Sequence, residues 1–150
     1  MRFLALLIAT FISVVSPVAC AEAWLHDEQD HSIAFSSLKG RWVFINYWAS
    51  WCPGCVEEIP ELNQFYAAHK DQVALFAVNY DGLPLWQQRR LMKEFKIKYP
   101  GLLQDPAQSL QLGDIRGIPV TFVFNPQGKL VTALYGGQTM DSLKKVLASQ

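Results

Sequence analysis

Cys52 and Cys55 stand three positions apart in Trp51-Cys52-Pro53-Gly54-Cys55, and two thiols at that spacing can open and close a disulfide. Thiolate, not thiol, is the attacking species in disulfide exchange. At the start of a helix, the unpaired N–H groups and the helix dipole favour a negative charge on the first sulfur. A cysteine so placed titrates at about 3.5–7.5, against about 8.5 for a free thiol. The second sulfur then lies on the same side of the first turn and can close onto the first. Cys52 is therefore the expected nucleophile and Cys55 the resolving thiol. Pro53 has no N–H to lose and suits a first helical turn, and Gly54 keeps the approach to the sulfurs open.

A pair of this kind can also be half of a zinc site, but structural zinc takes four Cys or His ligands. Only Cys20, His26, His31 and His69 remain, and none repeats a metal-ligand spacing. No metal and no other cofactor is expected beyond the redox-active Cys52–Cys55 disulfide, and the histidines read as surface residues. A purely structural crosslink is a poor reading too, because so short a loop gains little closure entropy.

The dithiol needs a strand before it and a helix after it. Trp42 to Ala49 (WVFINYWA) is a short apolar and aromatic run with one Asn, the pattern of a central strand covered on both faces. Cys55 to Lys70 reads as the helix, with Pro60 kinking it. Val73 to Asn79 is a second buried strand. Pro84 opens a second helix, whose apolar side carries Leu85, Leu91, Met92 and Phe95. Tyr99 to Asp105 reads as a connector, and Ser109 to Leu112 as a helical turn. Val120 to Phe124 and Leu130 to Leu134 form a hairpin around Asn125-Pro126-Gln127-Gly128. Met140, Leu143 and Leu147 mark a closing helix capped by Thr139. Glu22 to Ser32 is polar and reads as an edge hairpin or an irregular lead-in. The expected fold class is α/β, a single mixed sheet with helices on both faces.

Met1-Arg2, the apolar stretch Phe3 to Val15 and the small residues Ala19, Cys20, Ala21 and Ala23 have the layout of a secretory signal. Residues 1–21 are thus a leader and 22–150 the folded domain. Cleavage at Ala19-Cys20-Ala21 or Ala21-Glu22-Ala23 is one fate. Lipidation of Cys20 in Pro17-Val18-Ala19-Cys20 is a second, although Pro17 departs from the Leu usual in lipoprotein boxes. Retention as an anchor is a third, since Phe3 to Ala19 approaches the span minimum of about 17 residues. All three place the domain outside the cytoplasm, in the periplasm or on the outer face of the cytoplasmic membrane. The 150 residues suit one domain, and 51% of them are hydrophobic, so a packed core is expected. Thirteen basic residues balance thirteen acidic ones, which gives no electrostatic footprint for nucleic acid. Nothing points to oligomerisation, so a monomer is expected.

The ordered set Asn46-Tyr47-Trp48-Ala49-Ser50-Trp51-Cys52-Pro53-Gly54-Cys55, Glu58-Ile59-Pro60, Val78-Asn79-Tyr80-Asp81, Tyr99-Pro100, Leu103-Gln104-Asp105-Pro106, Gly117-Ile118-Pro119-Val120-Thr121-Phe122 and Asn125-Pro126-Gln127-Gly128-Lys129 resembles the thioredoxin superfamily. Within it, the chain is most similar to the TlpA/ResA-like extracytoplasmic thiol–disulfide reductases, from about Ser32 to the C-terminus. The resemblance implies a thioredoxin fold and a cis peptide at Ile118–Pro119 facing the cysteines. The backbone of Ile118 would then pair with an extended client segment. It implies Asn46 where cytoplasmic thioredoxins carry a buried Asp, and an acid at Glu58. It also implies client proteins with disulfides, among them apocytochrome c and copper-site proteins of an oxidase, and a membrane thiol electron donor.

Helical spacing bears on Glu58 separately. Cys55, Glu58, Leu62 and Phe65 share one stripe, while Glu57, Glu61 and Gln64 fall outside it. Burial along that stripe should raise the Glu58 pKa and let its carboxyl exchange a proton with Cys55. The competing reading is a solvated acid stabilised by the helix dipole. Trp51 is either an exposed contact platform beside the thiolate or packed on the domain edge, and Trp48 reads as core. A reductase is the leading function. A DsbA-like disulfide donor is the alternative, disfavoured because about two dozen residues between Asn79 and Leu102 hold only one helix. A Cu(I)-binding metallochaperone module ranks below both, because no Met or His cluster accompanies the soft thiolates.

Overall fold

The computed structural model describes residues 22–149; the leader and Cys20, with its three fates, lie outside them. Along the chain run β1 (Trp24–His26), β2 (Ser32–Ala34), a 3-10 helix (Phe35–Leu38), β3 (Trp42–Trp48), α1 (Pro53–Ala68), β4 (Val73–Asn79), α2 (Leu85–Glu94), β5 (Gly101–Leu102), β6 (Val120–Phe124), β7 (Leu130–Tyr135) and α3 (Met140–Leu147). The main sheet has the order β5-β4-β3-β6-β7. β3 pairs in parallel with β4, and β4 with β5, while β6 runs antiparallel to both β3 and β7. The two parallel steps are crossovers through α1 and α2, as βαβ connections require.

β3 is central and buried at all seven positions, which is why its sequence shows no polar alternation. Its side chains still alternate between faces. Trp42, Phe44 and Trp48 join a core built with Ile59, Leu62 and Phe65 of α1, Met92 of α2 and Leu143 of α3. Val43, Ile45 and Tyr47 join a second core with Leu25, Leu38, Leu110 and Leu112. Helical segments thus cover both faces, but unequally. All three α-helices lie on the first. The second is covered by the β1–β2 hairpin, the 3-10 helix and one helical turn, closed by hydrogen bonds from Leu110 N to Pro106 O and Leu112 N to Ala107 O, both 2.9 Å.

Two sequence expectations need correction. The connector Tyr99 to Asp105 contains β5, a strand too short to leave a periodic signal; its pairing with Ala77 and Val78 defines it. α1 begins at Pro53 rather than Cys55 and ends at Ala68, with Pro60 inside it. The polar lead-in is a hairpin that closes the β5 edge: Glu28 N donates to Gly101 O and Leu103 N to His26 O, each at 2.9 Å. An otherwise unpaired edge is thereby covered. Among the described residues no helix is long and apolar enough to cross a membrane.

Candidate active site

The parallel strands β3 and β4 end at the same rim of the sheet, and the turn from β3 into α1 carries the two cysteines. Cys52 has extended backbone (φ −99°, ψ 104°) and occupies the N-cap, with Pro53 directly inside the helix. Pro53 is pre-organised for that position. The Cys55 N–H donates to Cys52 Sγ at 3.2 Å, so the sulfur takes the place of a capping oxygen. Cys52 and Cys55 form a disulfide with Cα atoms 5.3 Å apart. Cys52 is 6% exposed and Cys55 is sealed at 0%, so an incoming partner can reach only the first sulfur.

The turn is anchored from β4. Asp81 accepts from the Ser50 N–H (Oδ2, 3.0 Å), the Ser50 hydroxyl (Oδ1, 3.0 Å) and Asn79 Nδ2 (Oδ2, 2.7 Å). Trp51, one residue beyond, is 66% exposed and so is not packed against the domain edge. The Ile118–Pro119 peptide is cis. A Cβ on Gly54 would touch Pro119 Cδ at 3.8 Å, an ordinary contact. Gly54 therefore lies beside the proline loop and leaves space there. Pro53 is exposed and Ile118 half-buried. Gly137 approaches from the other side, where a Cβ would lie 3.5 Å from the Gly54 carbonyl oxygen.

Glu58 lies one helical turn below Cys55 and is 3% exposed. Its Oε1 accepts from Asn46 Nδ2 at 2.7 Å and its Oε2 from the Gln138 N–H at 2.8 Å. Burial pushes its pKa up to about 7, while the two hydrogen bonds pull the other way. Desolvation wins because two neutral donors replace hydration only in part. The expected stripe holds: Cys55, Glu58, Leu62 and Phe65 are buried, joined by Ile59. The solvated alternative for Glu58 does not. Glu61 has its own task, accepting from the Met140 N–H at 2.7 Å at the start of α3.

Asn46 is itself enclosed. Its Nδ2 also donates to Thr121 Oγ1 at 3.1 Å, and its Oδ1 accepts from the Tyr99 hydroxyl at 3.4 Å. Sequence reading assigned no role to Thr121, Tyr99, Gln138 or Asp81. Thr121, the one polar residue in VTFVF, was the available signal. Gln138 acts through its backbone, which leaves no trace in side-chain type. Among the described residues, no group of three or more His, Cys, Asp or Glu is arranged to hold a metal ion.

The fold and the Cys52–Cys55 pair define a thioredoxin-superfamily domain with the dithiol of a thiol–disulfide oxidoreductase. The chain belongs to the AhpC/TSA family, whose model matches residues 18–133. It is 35% identical over 116 residues to the thiol-disulfide oxidoreductase ResA of Bacillus subtilis (strain 168), covering 77% of this chain and 64% of ResA. The crystal structure of StoA from Bacillus subtilis superposes with a TM-score of 0.69 at 27% identity, over 86% of this chain and 98% of StoA. The pneumococcal exposed lipoprotein thioredoxin Etrx1 from Streptococcus pneumoniae strain TIGR4 reaches 0.74 at 22% identity, over 87% of this chain and all (100%) of that one. That last likeness concerns the fold alone.

Proposed function

We propose that this protein is an exported thiol–disulfide oxidoreductase that reduces disulfides in client proteins. The observation that carries the reading is the asymmetry of the pair: Cys52 caps α1 and keeps 6% exposure, while Cys55 is fully sealed one turn above the buried Glu58. In the reduced state, Cys52 thiolate attacks a client disulfide; one client sulfur leaves as thiolate and a mixed disulfide forms. Cys55 passes its proton to the Glu58 carboxylate and attacks Cys52 Sγ. The second client sulfur leaves, two electrons have moved to the client, and the Cys52–Cys55 disulfide remains.

Cys52, Cys55 and Glu58 are the catalytic residues in this scheme. Trp51, Pro53, Gly54, Ile118 and Pro119 bind the client, with the Ile118 backbone pairing to an extended segment. The single helix between β4 and β5 favours this reading over a DsbA-like donor. The clients are extracytoplasmic, apocytochrome c or copper-site proteins, and a membrane thiol donor restores the dithiol. The leader exports the chain and tethers it if Cys20 is lipidated or the apolar stretch is retained.

The reduction potential of the Cys52–Cys55 couple tests the direction. A value near about −270 mV supports reduction, and one near about −120 mV overturns it. Cys55→Ser should accumulate mixed disulfides through Cys52 in the exported compartment; their absence would refute catalytic exchange.

A further inference from the structure

The side-chain amide of Asn46 has two chemically different ends, and the fold presents a different partner to each. β3 and β6 are in a register that sets Asn46 opposite Thr121. The Nδ2 end meets two acceptors, Glu58 Oε1 at 2.7 Å and Thr121 Oγ1 at 3.1 Å. The Oδ1 end meets a donor, the Tyr99 hydroxyl at 3.4 Å. All three neighbours are at most 3% exposed, so no water substitutes for a lost partner. Burial pushes the Tyr99 pKa well above its ordinary value, which keeps the phenol protonated and able to donate.

We infer that Thr121 and Tyr99 are positioning residues that hold the Asn46 amide in place against Glu58: a hydroxyl donates or accepts alike, so the two fix where the amide lies, while the Glu58 carboxylate selects which end faces it. Turning the amide over would set Oδ1 against the Glu58 carboxylate, oxygen to oxygen. That arrangement is tolerable only when Glu58 is protonated and can itself donate. Held there, the Asn46 Nδ2–H bond favours the charged acid that can accept the Cys55 proton. Without the two anchors the amide drifts from Glu58 and that bond weakens. The Gln138 N–H from the turn before α3 also donates to Glu58, and the Tyr99 phenol lies close enough to feel its charge. Among the described residues no cation pairs with it, so Asn46 is the side-chain donor on which its charged form depends.

The effect on rate rests on the reading of Glu58 as the Cys55 proton acceptor; the effect on Glu58 titration does not. The test titrates the Glu58 carboxyl in the oxidised full-length protein by carbon-13 NMR or infrared spectroscopy. Thr121→Val keeps the shape and removes the hydroxyl. Tyr99→Phe removes the other anchor. Each should move the midpoint upward by about one pH unit, the worth of one hydrogen bond. Thr121→Ser keeps the hydroxyl and loses the methyl, so it should melt lower with the midpoint unmoved. A midpoint unchanged in both Thr121→Val and Tyr99→Phe overturns the proposal, as does a shift in Thr121→Ser with none in Thr121→Val. A shifted midpoint without a shift in the pH profile of exchange supports the positioning of Asn46 and refutes the role of Glu58 in the reaction.

Discussion

β3 sends one polar side chain to an acid on each face of the sheet, and the two acids meet different fates. On the α-helical face Asn46 donates to Glu58 at 2.7 Å, in a site closed to water. On the opposite face the buried Tyr47 donates to Asp105 Oδ1 at 2.5 Å, but Asp105 is exposed and also accepts from the Ala107 N–H. Asp105 keeps its hydration and serves as a structural acceptor, while burial and the Asp105 carboxylate push the Tyr47 phenol far above its ordinary range. Glu58 has no hydration, and its pKa rises to about 7. Burial is thus what turns Glu58 into a group that titrates near neutrality. Glu58 is also the acid one helical turn below Cys55.

The sharpest way to break this contrast is Asn46→Leu. It leaves ionised Glu58 with one donor and strands the Thr121 and Tyr99 hydroxyls. The loss should be about 3–5 kcal/mol at pH 8, as for a broken buried ionic contact. It should shrink below pH 5, where Glu58 is neutral. Urea denaturation at the two pH values measures both, and equal losses would show that Glu58 does not feel Asn46.

Next in size is the pH dependence of the intact protein. The folded pKa of Glu58, about 7, lies above the unfolded value of 4.5. The folded state therefore binds more protons between these values, and the contribution is complete below pH 4.5 and lost as pH rises through 7. Its size is at most about 3 kcal/mol. Glu58→Gln should flatten that part of the stability profile, and a slope that survives the substitution would assign it to another group.

On the other face, Tyr47→Phe should cost about 1 kcal/mol, the worth of one hydrogen bond. The loss should not vary between pH 6 and 9, and the pH midpoint of exchange should stay where it is. Smallest is Trp51→Ala. Stability should change by less than about 0.5 kcal/mol, because the indole buries little. KM for a protein disulfide should rise while the rate with a small disulfide holds. A loss with both substrates would place Trp51 in orienting Cys52 rather than in contacting the client.

Much of the site could be read in advance because its signals are local. The β3 run and the α1 stripe are patterns within single segments, so the junction that holds Cys52 and the place of Glu58 on the stripe of Cys55 follow from neighbours a few residues away. β5 could not be read this way, since two residues carry no period and only pairing with Ala77 and Val78 defines them. Nor could the unequal cover of the two faces. Alternating strands and helices imply crossovers, but not that α1 and α2 step in the same direction across the sheet and so share a face.

What the sequence determined by itself is the Cys52–Cys55 pair at a strand–helix junction and an acid one turn below it on the stripe of Cys55, because each depends on residue type and helical spacing alone; it left open whether that acid was buried or solvated. The tertiary structure decided what surrounds that acid. Thr121 is 75 positions from Asn46, and the Gln138 N–H is 80 from Glu58. Separations of that size are closed by strand register and helix packing, which arrange donors around the carboxylate irrespective of chain order. Those contacts, with the exclusion of water, set the proton affinity of Glu58.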